Sequence, residues 1–497
     1  MIGEFALALF AAFYYLPWIF KGIRDYLYEA PYYKKLPGPK GLSFIGSAFE
    51  VAVGEDTTAP LKFWLKEADK AREQGHDIFT VTAMGRHIAF PLSGESVKFI
   101  CESNEEILKG KDYEFLRPWV GSGLMLSIGK KWKDRRRALT HVFHFTMLEG
   151  YTMTFNKHAR VFVDILSKQS GTVVDMEIHL KRLSLDSALN TTMGMDFGIQ
   201  HNPKHPYLAS VDIFTNYAQR YNNEPHMWIN WIWYLVYSRE YNDVLKKLND
   251  FSIEVLAKRM ESVRKGEVDL EAKYKPLIDI FIALCNKGEC TYDEVHYELN
   301  ASIFGAHDTT SSTLTWIFWC LATQPQHQQR IYDEMTEIFG DSDRDCTLED
   351  LQEMDFTERF MKESMRVFPP IPTVGRELMS DFQMGKYLLP KGSEIFIAPH
   401  IIHHNPDVYP EPWKFDPDRF LPDNVIERNP YDFIPFSAGP RNCLGQKFAM
   451  HEMKIIMSHA VRNFVFTTEH DILDQECKVE VMCKPSLGCH LKVEKRK

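Results

Sequence analysis

The stretch Phe436-Ser437-Ala438-Gly439-Pro440-Arg441-Asn442-Cys443-Leu444-Gly445 constrains this chain more than any other. One thiol stands among two glycines, a proline and an arginine, just before an amphipathic run. Gly439 permits a positive φ, so the backbone can double back there. Pro440 stiffens the turn and removes one N–H. Gly445 carries no side chain, so the segment that follows can press against a flat group. A helix starting just after Cys443 favours negative charge on its sulfur. Arg441 offers a rigid fork of donors to a carboxylate. These are the requirements of a thiolate ligand to haem iron, with Arg441 facing a propionate. The plainer alternative is a buried structural cysteine, the usual state of a free thiol.

The spacing of Phe436, Gly439, Arg441, Cys443 and Gly445 resembles the haem-ligand loop of the cytochrome P-450 monooxygenases. The resemblance implies haem b as cofactor and Cys443 as the axial ligand of its iron. Composition agrees with a large folded body. A chain of 497 residues can form one large domain or two to three ordinary ones. A formal charge of −10 argues against a general nucleic-acid binder. The nine cysteines are odd in number and widely spaced, as expected of reduced thiols facing cytosol. Cys477, Cys483, Cys489 and His490 invite a metal reading, but their gaps do not fit the short ligand pairs of zinc sites. Strand packing is the expectation there.

Phe5 to Phe20 is an almost unbroken apolar run, a little short of the roughly 20 residues that span a bilayer. Lys21, Arg24, Lys34 and Lys35 follow it, which keeps the body cytosolic by the positive-inside tendency. A cleaved signal would carry its positive charge first and end in a small-residue site, so a retained anchor is the reading. Leu36-Pro37-Gly38-Pro39-Lys40-Gly41 is a breaker-rich hinge between anchor and body. The expected division is residues 1–35 as membrane anchor and basic, Pro-rich hinge, and 36–497 as a haem-thiolate catalytic domain. Strand-like runs at Ile78–Thr82 and His87–Phe90, helical patterns from about 150 to 370, and mixed loops, strands and a hairpin thereafter predict a mainly α chain with a smaller β-rich lobe. The resemblance implies the cytochrome P-450 fold for this body, preceded by an anchor helix.

A helix is predicted from Thr291 to Gln324, opened by a Thr-x-x-Glu capping box and stopped before Pro325. Its middle reads Gly305-Ala306-His307-Asp308-Thr309-Thr310-Ser311-Ser312, a poor helix filler that predicts a local opening of the hydrogen-bond ladder. The pattern resembles the family's central helix over the haem. It implies catalytic roles in oxygen activation for Thr309, as hydrogen-bonding group, and Asp308, as proton supplier. Two departures stand out. Ala306 occupies a usual glycine. Gly305 stands where the fatty-acid ω-hydroxylase branch, which the chain most resembles, often carries a glutamate that bonds covalently to haem, so that ester is not expected.

Glu363 and Arg366 lie three apart on one helix face, among apolar neighbours and before Pro369-Pro370. A buried pair is expected, and it resembles the family's Glu-x-x-Arg motif. Arg419 in Pro417-Asp418-Arg419-Phe420 would join it, the three bracing the Cys443 loop. Trp132 and Arg136, at i and i+4, resemble the family's propionate-binding pair, with Arg376 and Arg441 as further candidates. Lys130, Lys131, Lys133, Arg135 and Arg137 make a basic patch, read as a solvated helix face or as a dock for an acidic electron donor. No Gly-x-Gly-x-x-Gly sits between a strand and a helix, so electrons are expected from a partner. The resemblance implies NADPH, reached through NADPH–cytochrome P-450 reductase, with cytochrome b5 as a further donor, at the endoplasmic reticulum membrane. Phe115–Leu124 and Met227–Tyr234 are expected to line the pocket and the lipid-facing connection. The expected activity is insertion of one atom of O2 into a C–H bond of a fatty acid, steroid or foreign hydrophobe. Two alternatives stay open at this point: a haem-thiolate enzyme rearranging a peroxide, and a non-catalytic haem- or lipid-binding protein.

Overall fold

The computed structural model describes residues 20, 23–24, 27–39, 46–47, 56–83, 86–140, 145–202, 204–224, 227 and 232–496. Apart from Phe20, the apolar run from Phe5 lies outside these residues, as does half of the Met227–Tyr234 segment. Among the described residues no helix is long and apolar enough to cross a membrane.

The main helices are α1 (Ala59–Glu73), α2 (Gly94–Cys101), α3 (Gly129–Thr140), α4 (Phe145–Ser167), α5 (Met176–Met193), α6 (Pro206–Asn223), α7 (Ser238–Arg264), α8 (Leu277–Asn286), α9 (Tyr292–Thr323), α10 (Pro325–Phe339), α11 (Asp355–Val367) and α12 (Gln446–Asn463). The strands are β1 (Ile78–Ala83), β2 (Arg86–Pro91), β3 (Thr172–Asp175), β4 (Val374–Glu377), β5 (Phe382–Met384), β6 (Tyr387–Leu389), β7 (Glu394–Ile397), β8 (Phe464–Thr467), β9 (Cys477–Val479), β10 (Cys483–Pro485) and β11 (His490–Lys495). One sheet runs β1-β2-β7-β4, with β2 and β7 parallel and the other neighbours antiparallel. A second runs β3-β11-β8, and β5-β6 and β9-β10 are two-stranded hairpins.

The expected architecture holds: helices dominate, accompanied by small β-sheets. The axis of the molecule is α9. Its 32 residues give a rod about 48 Å long at about 1.5 Å per residue. Glu294 Oε2 accepts the Thr291 N–H at 3.2 Å, satisfying one orphan donor at the helix start. Gln324 ends the helix, and Pro325 begins α10, where its missing N–H costs nothing. Nearly every side chain from Leu314 to Ala322 is buried, because α9 is wrapped by α5, α7, α11 and α12.

One segment joins the body and one expectation is corrected. The breaker-rich stretch meets the body at Pro37. Pro37 O accepts the Thr80 N–H at 2.7 Å, so the segment docks along β1. A Cβ at Gly38 would stand 2.0 Å from Thr80 O, which explains the glycine. And α9 does not open in its middle: it is helical throughout. Several of its hydroxyls bond back to carbonyls one turn earlier instead, Thr309 Oγ1 to Gly305 O at 2.5 Å, Thr313 to Thr309 O at 2.7 Å and Thr315 to Ser311 O at 2.8 Å. Such back-bonding satisfies the hydroxyl without removing the ladder bond.

Candidate functional site

Cys443 is the one exposed cysteine of the nine; Cys285 and Cys290 are half-buried and the rest buried. Its N–H donates to Phe436 O at 2.8 Å, closing the loop onto itself. Gly439 sits at φ 70°, and a Cβ there would lie 1.7 Å from Cys101 O. The loop can therefore cross the end of α2 only with glycine at this position. Close packing of protein atoms pushes the Cys443 thiol pKa up, while the Gly445 N–H and the charges of Arg136 and Lys109 pull it down. A metal cation on the sulfur would tip this balance to the thiolate.

Arg136, on α3, reaches the loop directly. Its Nη1 donates to Asn442 O at 2.9 Å and its Nη2 to Asn442 Oδ1. Arg441 Nε donates to Ile107 O at 3.1 Å, Nη1 to Leu124 O at 3.1 Å, and Nη2 to Ser127 O. Its guanidinium lies 4.7 Å from the centre of the buried Trp132 ring. Arg441 thus stitches three segments together before it has served any ligand. Arg376, on β4, is 2 % exposed, and its one hydrogen bond among the described residues is to Gly375 O, at 3.1 Å.

A fourth cation joins them that no sequence motif marks. Lys109 forms an isolated bridge with Arg376, and its Nζ sits 4.7 Å over the Tyr113 ring. Burial, then Arg376 and Arg441, push its ammonium well below the usual lysine range. Burial, Arg376 and Arg136 bring Arg441 down to about 10. Among the described residues none of Lys109, Arg136, Arg376 and Arg441 is in an ion pair. Four crowded, half-buried or buried cations with no carboxylate of their own are costly. The donor set suits a flat group bearing two carboxylates, set against a thiol. That is the chemistry of haem, and these residues fit it.

Along α9, Ser302, Gly305, Ala306 and Thr309 keep partial accessibility among buried neighbours. Their spacing of three and four puts them on one stripe. A Cβ at Gly305 would meet nothing within 4 Å, so that position opens on space. Asp308 lies on another side and is buried. It lines a small cleft with Ser311, Ser312, Thr315, Glu177, Lys181, Lys484 and Pro485. Burial works against the Lys484 charge, but Glu480, Asp308 and Glu177 together hold its pKa above the ordinary range. Glu177 and Lys484 carry no sequence signal, because they arrive from α5 and β10.

Glu363 and Arg366 are both fully buried and joined by two bonds of 2.7 Å. Arg366 also donates to His403 O, Pro412 O and Lys414 O at 3.1, 2.6 and 3.1 Å. Glu363 Oε1 accepts the Asp416 N–H at 2.8 Å. Arg419 Nε approaches the same oxygen only to 3.7 Å, while its Nη2 donates to Pro410 O and Glu411 O. All three residues therefore hold segment 403–419, which leads toward the cysteine loop.

The basic patch is weaker than its sequence. Lys130 pairs with Asp134 at 2.7 Å, and Lys131 and Arg135 share Glu294 at 2.8 and 2.6 Å. Lys133 and Arg137 are exposed and outside any ion pair among the described residues. Phe115 and Trp119 are buried in an aromatic cluster, Trp119 lying 4.8 Å from Phe214 and 5.4 Å from Phe304. Tyr234, Leu235 and Val236, by contrast, are strongly exposed.

Residues 36–492 match the family model described as Cytochrome P450. The chain is 33% identical over 416 residues to Cytochrome P450 4V2 of Mus musculus, covering 81% of this chain and 79% of that one. It is 31% identical to Cytochrome P450 4c21 of Blattella germanica, covering 93% and 94%. It is 34% identical to Cytochrome P450 4F8 of Homo sapiens, covering 77% and 76%. Among solved structures it resembles the cytochrome P450DA heme domain, with a TM-score of 0.80, 22% identity, and coverage of 93% and 98%; at that identity the likeness is one of fold.

Proposed function

The chain belongs to the cytochrome P450 family, a haem-dependent monooxygenase lineage, and from that premise we propose the role of each site residue. Bound haem supplies oxygen activation: one atom of O2 enters a substrate C–H bond and the other leaves as water. Cys443 is the thiolate ligand to its iron. Lys109, Arg136, Arg376 and Arg441, with the Trp132 N–H, receive the two propionates. Phe436 and Gly439 shape the turn, and Gly445 keeps the start of α12 close to the ring. The observation that carries this reading is the cluster of four cations lacking carboxylate partners beside the one exposed thiol.

The chain's own acid–base work falls to Thr309 and Asp308. Thr309 Oγ1 lies on the accessible stripe of α9 with its proton given to Gly305 O, so its lone pairs face outward. It can accept a hydrogen bond there, or turn its proton outward to donate one. Asp308 sits where the cleft with Glu177 and Lys484 meets the helix, and it would pass protons inward from that cleft. Glu363, Arg366 and Arg419 brace the cysteine loop. The apolar cluster of Phe115, Trp119 and Phe304 supports a lipophilic substrate: a fatty acid, steroid or foreign hydrophobe. Residues 1–35 would anchor the 36–497 domain to the endoplasmic reticulum membrane. Electrons would come from NADPH through a membrane reductase, with cytochrome b5 as a second donor.

The test is reconstitution with NADPH–cytochrome P-450 reductase and a panel of fatty acids, steroids and hydrophobic xenobiotics. Binding is read as the shift of the haem spectrum when the iron-bound water leaves, and turnover as NADPH-dependent oxygen uptake matched by hydroxylated product. Cys443→Ser should abolish the thiolate-type ferrous–CO band and the turnover together. A variant that keeps both overturns the ligand assignment.

A further inference from the structure

We propose that His400, Cys477 and Cys483 form a binding site for one thiophilic divalent cation, zinc, separate from the haem iron. The three residues come from distant parts of the chain. His400 lies on the short helix Pro399–His403, and the cysteines open the two strands of the β9–β10 hairpin. One ligand atom from each residue can be chosen so that all lie within 4.8 Å of one another. All three residues are buried.

The register of the hairpin explains the pairing. Cys477 stands opposite Pro485, and Cys483 opposite Val479. The two thiols are therefore diagonal neighbours on one face. Backbones in that relation are about 7–8 Å apart. A disulfide wants Cα atoms at about 4.4–6.8 Å, so bridging the two would require the strands to move. Two zinc–sulfur bonds of about 2.3 Å each span the gap more easily.

The histidine supplies an independent observation. His400 is 1 % exposed, and among the described residues its ring nitrogens have no nitrogen or oxygen partner; the Cys477 thiol is the neighbour within reach. The His404 ring stacks on that of His400 nearly parallel, with ring centres 6.0 Å apart, and its Nδ1 bonds the His400 carbonyl O at 2.9 Å, not the His400 ring. A buried imidazole left with only a thiol neighbour is unusual, and a metal held between imidazole and thiol satisfies both. The surroundings are rigid. Cys483 N–H donates to Pro370 O at 2.8 Å, and Cys483 O accepts from Ser312 Oγ at 2.7 Å and Trp316 Nε1 at 2.9 Å. Val479 N–H donates to Thr57 O at 2.7 Å. Backbones held from three sides present their side chains without needing to search for them.

Charge selects the cation. Binding releases both thiol protons and leaves two thiolates and one neutral imidazole. A divalent ion makes that set neutral, as a buried site demands, whereas a monovalent one leaves a net negative charge. A water molecule completes the tetrahedron. The site would pin the hairpin, whose tip residue Met482 is buried in the same apolar cluster as Phe115, Trp119 and Phe304.

The experiment uses the full-length haem protein, expressed with zinc and desalted. Elemental analysis should find about one zinc per chain besides haem iron. X-ray absorption at the zinc edge should show sulfur at about 2.3 Å and nitrogen at about 2.0–2.1 Å. Zinc that washes out, or a shell of oxygen and nitrogen alone, overturns the proposal. The double variant Cys477→Ser, Cys483→Ser should lose the zinc and keep the haem and its thiolate-type ferrous–CO band; zinc retained in it also overturns the proposal. If that variant does not fold, the wild-type absorption spectrum decides.

Discussion

Gly439 illustrates how little latitude single positions have near the thiol. Its φ of 70° and the 1.7 Å approach of any Cβ to Cys101 O act together. The left-handed backbone alone costs a non-glycine residue about 1–2 kcal/mol, and the overlap adds about 1–3 kcal/mol. Gly439→Ala should therefore lower thermal stability and yield protein with little haem, read as the ratio of haem to protein absorbance. Glu452, on α12, offers a different residue-level test. It is 1 % exposed, and burial raises its carboxyl pKa from 4.5 to about 8, against a smaller opposing pull from Ser187. The folded state thus holds its proton more tightly than the unfolded chain. That contribution is fully present below the unfolded pKa, declines as pH rises, and is exhausted above the folded pKa. Glu452→Gln should remove the decline between about pH 4.5 and 8. The variant should be more stable than the parent at neutral pH, by roughly 2–4 kcal/mol, with the difference shrinking toward pH 4. Denaturant melts across that range check it; a parallel pH dependence in both proteins contradicts it.

At the scale of elements, α11 is tied to the segment before the cysteine loop by one buried pair. Arg366 spends its donors on Glu363 and on three carbonyls between His403 and Lys414. Removing Glu363 strands a buried guanidinium and frees the Asp416 N–H at the same time. Glu363→Ala should cost about 3–5 kcal/mol and give protein that does not retain haem. Normal haem content in the purified variant would remove the bracing role. Helix α9 teaches a related lesson. Its small and hydroxylated centre is tolerated without a break, because Thr309, Thr313 and Thr315 return to carbonyls one turn back, Ser312 reaches Cys483 O, and the surrounding helices bury the rest. Local propensity set the expectation of an opening, and packing overrode it.

For the whole molecule, the cation cluster, in the role proposed for it, would couple folding to haem. Lys109, Arg136, Arg376 and Arg441 approach from four separate segments and repel one another. Without two acidic groups between them they oppose folding; with the two propionates between them they would hold the cofactor. Arg376→Met should therefore raise the stability of the haem-free protein by about 1–2 kcal/mol while speeding haem loss. Haem transfer to a scavenger protein measures the second and apoprotein melting the first. Equal destabilisation of both forms would assign Arg376 a purely structural part.

What the sequence by itself determined is what neighbours in the chain decide. The turn around Cys443, the pairing of Glu363 with Arg366, both ends of α9 to within a residue, and strands β1 and β2 are all local, so spacing and residue type sufficed. Tertiary structure decided everything that needs two distant segments to meet. It brought Lys109 to Arg376, absorbed Lys131 and Arg135 into Glu294, laid Pro37 along β1, and set His400 beside Cys477 and Cys483 while leaving Cys489 and His490 out. Such meetings depend on which surfaces the apolar core brings into contact, and no spacing along the chain encodes that.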